Sequence, residues 1–247
     1  SDWSSDVCSS DLQMSGALKK AFPQLRLLQT SFPNENIRDI FNVWCPIFDE
    51  FVSAPKRKLL NDLKGRGDEI WWYAADAPVK PYPNFFLDYP VFDCRIIGTL
   101  SYKYQVTGLL YWSINREWET NLTTREQWEQ SGAWKPYIFH IIHKPRKNKN
   151  GMGNLVYPGR NGELLPSLRL ENLRDGLEDY EYLVLLKKLA AKLPENDPDR
   201  TEAEKLLEIP PAVARTVNDY SADPQHLITY RKQVALMIEK LNHRIKK

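Results

Sequence analysis

Two kinds of residue in this chain could do chemistry. The first is an adjacent carboxylate pair, Asp49-Glu50. Carboxylates side by side can divide the work of proton transfer: repulsion and burial raise the pKa of one so that it donates, while the other stays ionised. The second is a set of aromatic and amide side chains, Trp44, Tyr73, Trp112, Asn115 and Tyr157. An aromatic face stacks on the C–H face of a pyranose, and a carboxamide both donates to and accepts from hydroxyls. The 8 Trp and 12 Tyr include clusters such as Trp71-Trp72-Tyr73 and Tyr111-Trp112. Core filling also uses such rings, so position in the fold must separate sugar contact from packing.

Other chemistries find little support. Cys45 and Cys94 lie in apolar surroundings with no CxxC pair, which reads as buried free thiols. His140, His143, His226 and His243 form no metal motif, and the first two, three apart in a strand-like segment, would face opposite sides. No metal or cofactor is expected. A net charge of +2 argues against a nucleic-acid partner, and the basic run Lys144–Lys149 reads as a solvated loop. Apolar runs fall short of the ~18 residues a membrane helix needs.

The elements that must position these residues alternate. Short apolar strands are expected at 25–30, 41–46, 69–75 and 108–114, with helices at 14–21, 55–64 and, in part, 90–106. Apolar strands alternating with helices mean a parallel sheet with covered faces, and the strand–loop–helix repeat fits barrel βα units. Trp44, Tyr73, Trp112 and Asn115 then fall at or near the C-terminal ends of three strands, where barrels hold their active sites. Residues 116–166 form a long irregular stretch containing Tyr157 between Gly153 and Gly159. A helix capped by Ser167 runs to about 192, with Leu170, Leu173, Leu177, Tyr180 and Val184 at helical spacing and charged residues on its other sides. A polar linker (194–200), a short helix (201–208) and a helix opened by Asp223-Pro224 complete a C-terminal helical extension. On that last helix Leu227, Tyr230, Val234, Met237, Leu241 and Ile245 share one face.

Four segments taken together, 71–90 (WWYAADAPVKPYPNFFLDYP), 108–115 (GLLYWSIN), 153–159 (GNLVYPG) and 167–186 (SLRLENLRDGLEDYEYLVLL), resemble the C-terminal part of the glycoside hydrolase family 123 catalytic domain and its uncharacterised bacterial relatives. The resemblance implies an α/β fold, the C-terminal half of a (β/α)8 TIM barrel. It implies a retaining hydrolase of β-linked N-acetylgalactosamine that works by substrate assistance: the sugar's acetamide attacks the anomeric carbon, an Asp orients it, and the adjacent Glu is acid then base. In the family's order the strands at 25–30 and 108–114 are the fifth and eighth. The family's Asp-Glu pair ends the fourth, so it maps upstream of Gln13, and Asp49-Glu50 follows the sixth. The acidic pair also stands just before a helix start, where the helix dipole favours negative charge.

On this reading residues 1–12 are a non-native or disordered tail that looks like a translated sequencing adapter, 13–192 are a partial barrel, and 193–247 are the helical extension. The partners implied are a carbohydrate ligand and the other half of the barrel, and the parent is expected to be a secreted or periplasmic bacterial protein. The alternative is a non-catalytic carbohydrate-binding or structural module.

Overall fold

The computed structural model describes residues 9–115, 149–158 and 163–245. Four parallel strands form one sheet in the order β1-β2-β3-β4: β1 (Leu28–Gln29), β2 (Val43–Trp44), β3 (Glu69–Ala74) and β4 (Gly108–Tyr111). Their register pairs Leu28 with Val43, Trp44 with Ile70, and Tyr73 with Leu110. Each falls inside an expected strand, although β1 and β2 shrink to two residues. Helices α1 (Ser9–Ala21), α2 (Ala54–Gly65) and α3 (Phe92–Lys103) occupy the expected intervals. The first reaches into the segment that composition sets apart as a tail.

Strand β3 alternates half-buried Glu69, Trp71 and Tyr73 with buried Ile70, Trp72 and Ala74. Trp44, Ile70, Trp72 and Ala74 join Leu60 and Leu63 of α2 and Ile96, Ile97 and Leu100 of α3 in one core. Among the described residues, helices therefore cover one face of the sheet, where the apolar strands alone suggest cover on both. On the other face Trp71 lies across Gly108, and a Cβ there would fall 2.1 Å from the indole. That contact requires a residue with no side chain.

Beyond β4, a hairpin of β5 (Val156–Pro158) and β6 (Leu164–Pro166) occupies part of the stretch expected to be irregular. Helix α4 (Leu168–Ala190) starts as expected: the Ser167 hydroxyl accepts from the Leu170 amide at 3.2 Å. Its buried face is not the leucine row. Leu177 is 47% exposed, while Arg169, Gly176, Asp179, Leu183 and Leu186 are buried. The cause is a backbone contact with α3: a Cβ on Gly98 would lie 1.7 Å from the Gly176 carbonyl oxygen. Two glycines set the helix rotation, and the buried charges follow. Asp179 is bound by Arg95 of α3 at 2.8 Å and by Arg231 at 2.6 Å.

Helix α5 (Pro198–Leu207) begins inside the expected linker, because Asp197 caps it and Pro198 stands in its first turn. A short hairpin, β7 (Ala214–Thr216) with β8 (Asp219–Tyr220), precedes α6 (Pro224–Ile245). That helix buries the expected Leu227, Tyr230, Val234, Met237 and Leu241, and also Ile238, whereas Ile245 is 37% exposed. No described helix is long and apolar enough to cross a membrane.

Candidate functional site

The C-terminal ends of β2, β3 and β4 gather most of the candidate residues. After β2, the apolar ring of Phe48 anchors a 3-10 turn (Phe48–Phe51) that carries Asp49 and Glu50. Glu50 is ion-paired to Lys56, whose ammonium also lies 5.0 Å from the Phe32 ring. Burial, then the neighbouring Glu50 charge, pushes the Asp49 carboxyl above its ordinary range. Tyr73 lies in the same electrostatic neighbourhood. Burial, then Cys45, Asp49 and Glu50, raises its phenol. The turn thus holds one carboxyl pushed upward by burial beside another that is paired with a lysine.

After β4, Trp112 is 56% exposed, its amide donating to the Ala74 carbonyl at 3.1 Å. The chain then runs beside residues 154–156. Asn115 bridges Asn154, and the Leu155 amide donates to Ile114 at 2.8 Å. Exposed Asn115 and half-buried Tyr157 thereby flank the same pair of backbones.

Trp44 does not join them. Its register partner is Ile70, which places it on the helix-covered side, fully buried, with its indole N–H donating to Asp68 at 2.8 Å. Both faces of the ring are packed, which corrects its place among the expected sugar contacts. The thiols of Cys45 and Cys94 are free and buried, and burial pushes each up to about 12. His140, His143, Gly159 and Lys144 to Arg146 lie outside the described residues, as do Asn148 and Lys147.

Three residues the sequence reading did not select complete the region. Asp76 ends the Trp71–Asp76 run, and Lys149 approaches it, donating to its carbonyl and lying 3.9 Å from its carboxylate. Lys149 is therefore turned inward, 16% exposed at its side chain, and is not a solvated member of a basic run. Arg169 is 4% exposed and donates to the carbonyls of Phe85, Gly151 (2.8 Å) and Asn154, and to the Tyr157 hydroxyl (2.9 Å). Nearby, the Tyr111 hydroxyl accepts from the Gly153 amide at 2.9 Å, and Asp88 binds Asn150 twice. The segments 85–88 and 149–157 are laced together around one guanidinium. Position at a strand end was a signal for Asp76. The spacing of Arg169 gave none.

No group of three or more His, Cys, Asp and Glu able to hold a metal occurs among the described residues. The arrangement offers aromatic and amide contacts for a polar ring and a carboxylate–ammonium pair beside them. A search of curated proteins finds no match. The family model described as Glycoside hydrolase 123, catalytic domain, matches residues 13–186. On that match, over most of its length, the chain belongs to glycoside hydrolase family 123 and its substrate class is carbohydrate.

Proposed function

We propose that this domain forms the sugar-binding floor of a retaining hydrolase of β-linked N-acetylhexosamine, N-acetylgalactosamine in particular. The observation that supports it best is Trp112: a large ring 56% exposed at a strand's C-terminal end, beside the backbone pair that carries Asn115 and Tyr157. An indole more than half exposed in that place is suited to stack on a pyranose, with Asn115 for hydroxyls and Tyr73 and Tyr157 at the margins.

The chemistry proposed is substrate-assisted. The acetamide oxygen attacks the anomeric carbon as a carboxylic acid protonates the leaving oxygen and the glycosidic C–O bond breaks. A water, deprotonated by the same carboxylate, then opens the oxazoline with net retention. Carboxylates other than Asp49 and Glu50 carry these steps. The Lys56 ion pair and the buried 3-10 turn account for this pair as local structure. The sheet supports the rest of the reading. Among the described residues it has two edges and one half-buried face, which strands of the same barrel would cover.

Two measurements test it. Trp fluorescence titrated with N-acetylgalactosamine is expected to respond, with affinity lowered roughly fivefold or more in Trp112→Ala; stacking of this kind carries about 1 kcal/mol or more. Unchanged affinity would remove Trp112 from the site. The purified chain is expected to leave a chromogenic β-N-acetylgalactosaminide intact. Turnover abolished by Asp49→Asn and Glu50→Gln would instead make that pair the catalysts.

A further inference from the structure

A second cleft lies on the helix-covered side of the sheet and shares with the strand-end region only Phe51, the last residue of the 3-10 turn. It is a cavity of about 330 Å³ between α2, the C-terminal end of α3 and the β7–β8 hairpin. Its size is at the lower end for small-molecule sites, enough for one sugar with a substituent. Four of the side chains that line it are cations, Arg57, Lys64, Lys103 and Arg215, and none is a carboxylate.

Three separate elements bring those charges together. Arg57 and Lys64 stand seven apart on α2, two turns along one face. Lys103 closes α3, and Arg215 comes from β7. Elsewhere several cations have acids, and buried Arg169 instead has four neutral acceptors close around it. Arg95 and Arg231 share Asp179, Arg244 holds Asp197, and Lys80 holds Asp93. In the cleft, Lys64 donates to the Tyr104 carbonyl at 3.0 Å and to Asn61 at 3.4 Å, and Arg57 to the Phe51 carbonyl at 2.7 Å, all neutral acceptors. Lys103 has no hydrogen bond or ion pair with any described residue. Arg215 reaches only Asp219, at 3.4 Å and with both side chains more than half exposed, a pair of little strength.

The helix dipole accounts for a cation at the end of α3, but not for four around one hollow. Like charges gathered without counter-charges repel one another, and an anion bound between them removes that cost. Burial lowers the Lys64 pKa, as expected for an ammonium shielded from water and not yet neutralised. The floor is aromatic: the Phe51 and Tyr104 rings meet edge to face at 5.9 Å.

We propose that this cleft binds a sugar carrying a sulfate or phosphate ester, the oxyanion held by Lys103, Lys64 and the two arginines and the ring lying toward Phe51 and Tyr104. The site is separate from the strand-end site and does not depend on the hydrolase reading.

Calorimetry on the full chain tests it with three probes: O-sulfated N-acetylgalactosamine, the unsulfated sugar and sodium sulfate. The sulfated sugar is expected to bind at least about tenfold more tightly than either of the others, with affinity falling as NaCl is raised. The double variant Lys103→Glu/Arg215→Glu changes two exposed or half-exposed side chains. It is expected to melt like the parent and to lose the preference for the sulfated sugar. Should it melt early, Lys103→Gln carries the test and is expected to weaken the preference severalfold. Equal affinity for sulfated and unsulfated sugar, or a preference that survives charge reversal, overturns the proposal. Sodium sulfate binding as tightly as the ester overturns the sugar assignment.

Discussion

Arg169 shows how much one side chain can hold. A buried guanidinium presents several donors in a rigid fork, and here three carbonyls and a phenol accept from it. Removing it strands those acceptors in a dry interior. Arg169→Met is therefore expected to cost about 3 kcal/mol or more in urea unfolding, since each abandoned buried acceptor costs ~1–3 kcal/mol. Arg169→Lys keeps the charge but not the fork and should fall between. Tyr157→Phe removes one partner only, and a loss of about 1 kcal/mol is expected. A fully stable Arg169→Met protein would show that solvent replaces the guanidinium. Residue types alone marked Trp112, Asn115 and Tyr157, because aromatics and amides near strand ends have a chemical use. They could not separate Trp44 from these. Its place on the helix side follows from the register with Ile70, which only the paired strands define.

At the scale of elements, α3 and α4 meet through glycine. Gly98→Ala would set a methyl 1.7 Å from the Gly176 carbonyl oxygen, and backbone cannot yield as a flexible side chain does. The variant is expected to lose about 3 kcal/mol, or to fail to fold. Gly16→Ala in α1, with nothing within 4 Å of the added carbon, is expected to be neutral or to gain up to ~1 kcal/mol from helix propensity. Equal effects at both positions, read by thermal melting, would contradict the packing. This contact also explains why the strands and the α6 face were legible while the α4 face was not. Apolar spacing locates a core stripe only when the stripe is apolar. On α4 the stripe includes Arg169, Gly176 and Asp179, whose partners lie on other elements. Two other helices make a charged clasp. Arg244 of α6 binds Asp197 and Asp199 at the start of α5, and Lys240 binds Asp199 at 2.9 Å. Hydrogen bonds from Arg244 hold the Asp197 carboxyl below its ordinary range, and those from Lys240 and Arg244 do so for Asp199. Folded-state carboxyl pKa values that are depressed stabilise the clasp above the ordinary value of 3.8. That stabilisation is lost as pH falls through the depressed range. Hydrogen exchange in the last two turns of α6 is expected to quicken there before the core of α4 responds. Exchange unchanged by acid would sink the idea.

For the whole molecule, the outer strands of the four-stranded sheet present backbone donors and acceptors, and half-buried Trp71 and Tyr73 lie on its less covered face. The chain by itself is expected to sediment as a dimer or larger species, and a monomer with one sharp cooperative melt would count against pairing through these edges. Fold class was readable because parallel strands alternating with helices leave a periodic trace. Which face the described helices cover was not, since an apolar strand looks the same whether its second face meets helices or other strands.

The bridge between Asn115 and Asn154 has a consequence for the chain that joins them. Both ends of the intervening span are fixed, one by β4 and the other by the Arg169 and Asp88 contacts. Fixing both ends imposes a ring-closure entropy that grows only with the logarithm of contour length, about 0.6 kcal/mol per doubling. By that term alone, a Gly/Ser insertion that doubled the distance along the chain between the two anchors is expected to cost only about 0.6 kcal/mol in urea unfolding. Length in this span is thus a weak lever on closure, and the two anchor points are the strong one.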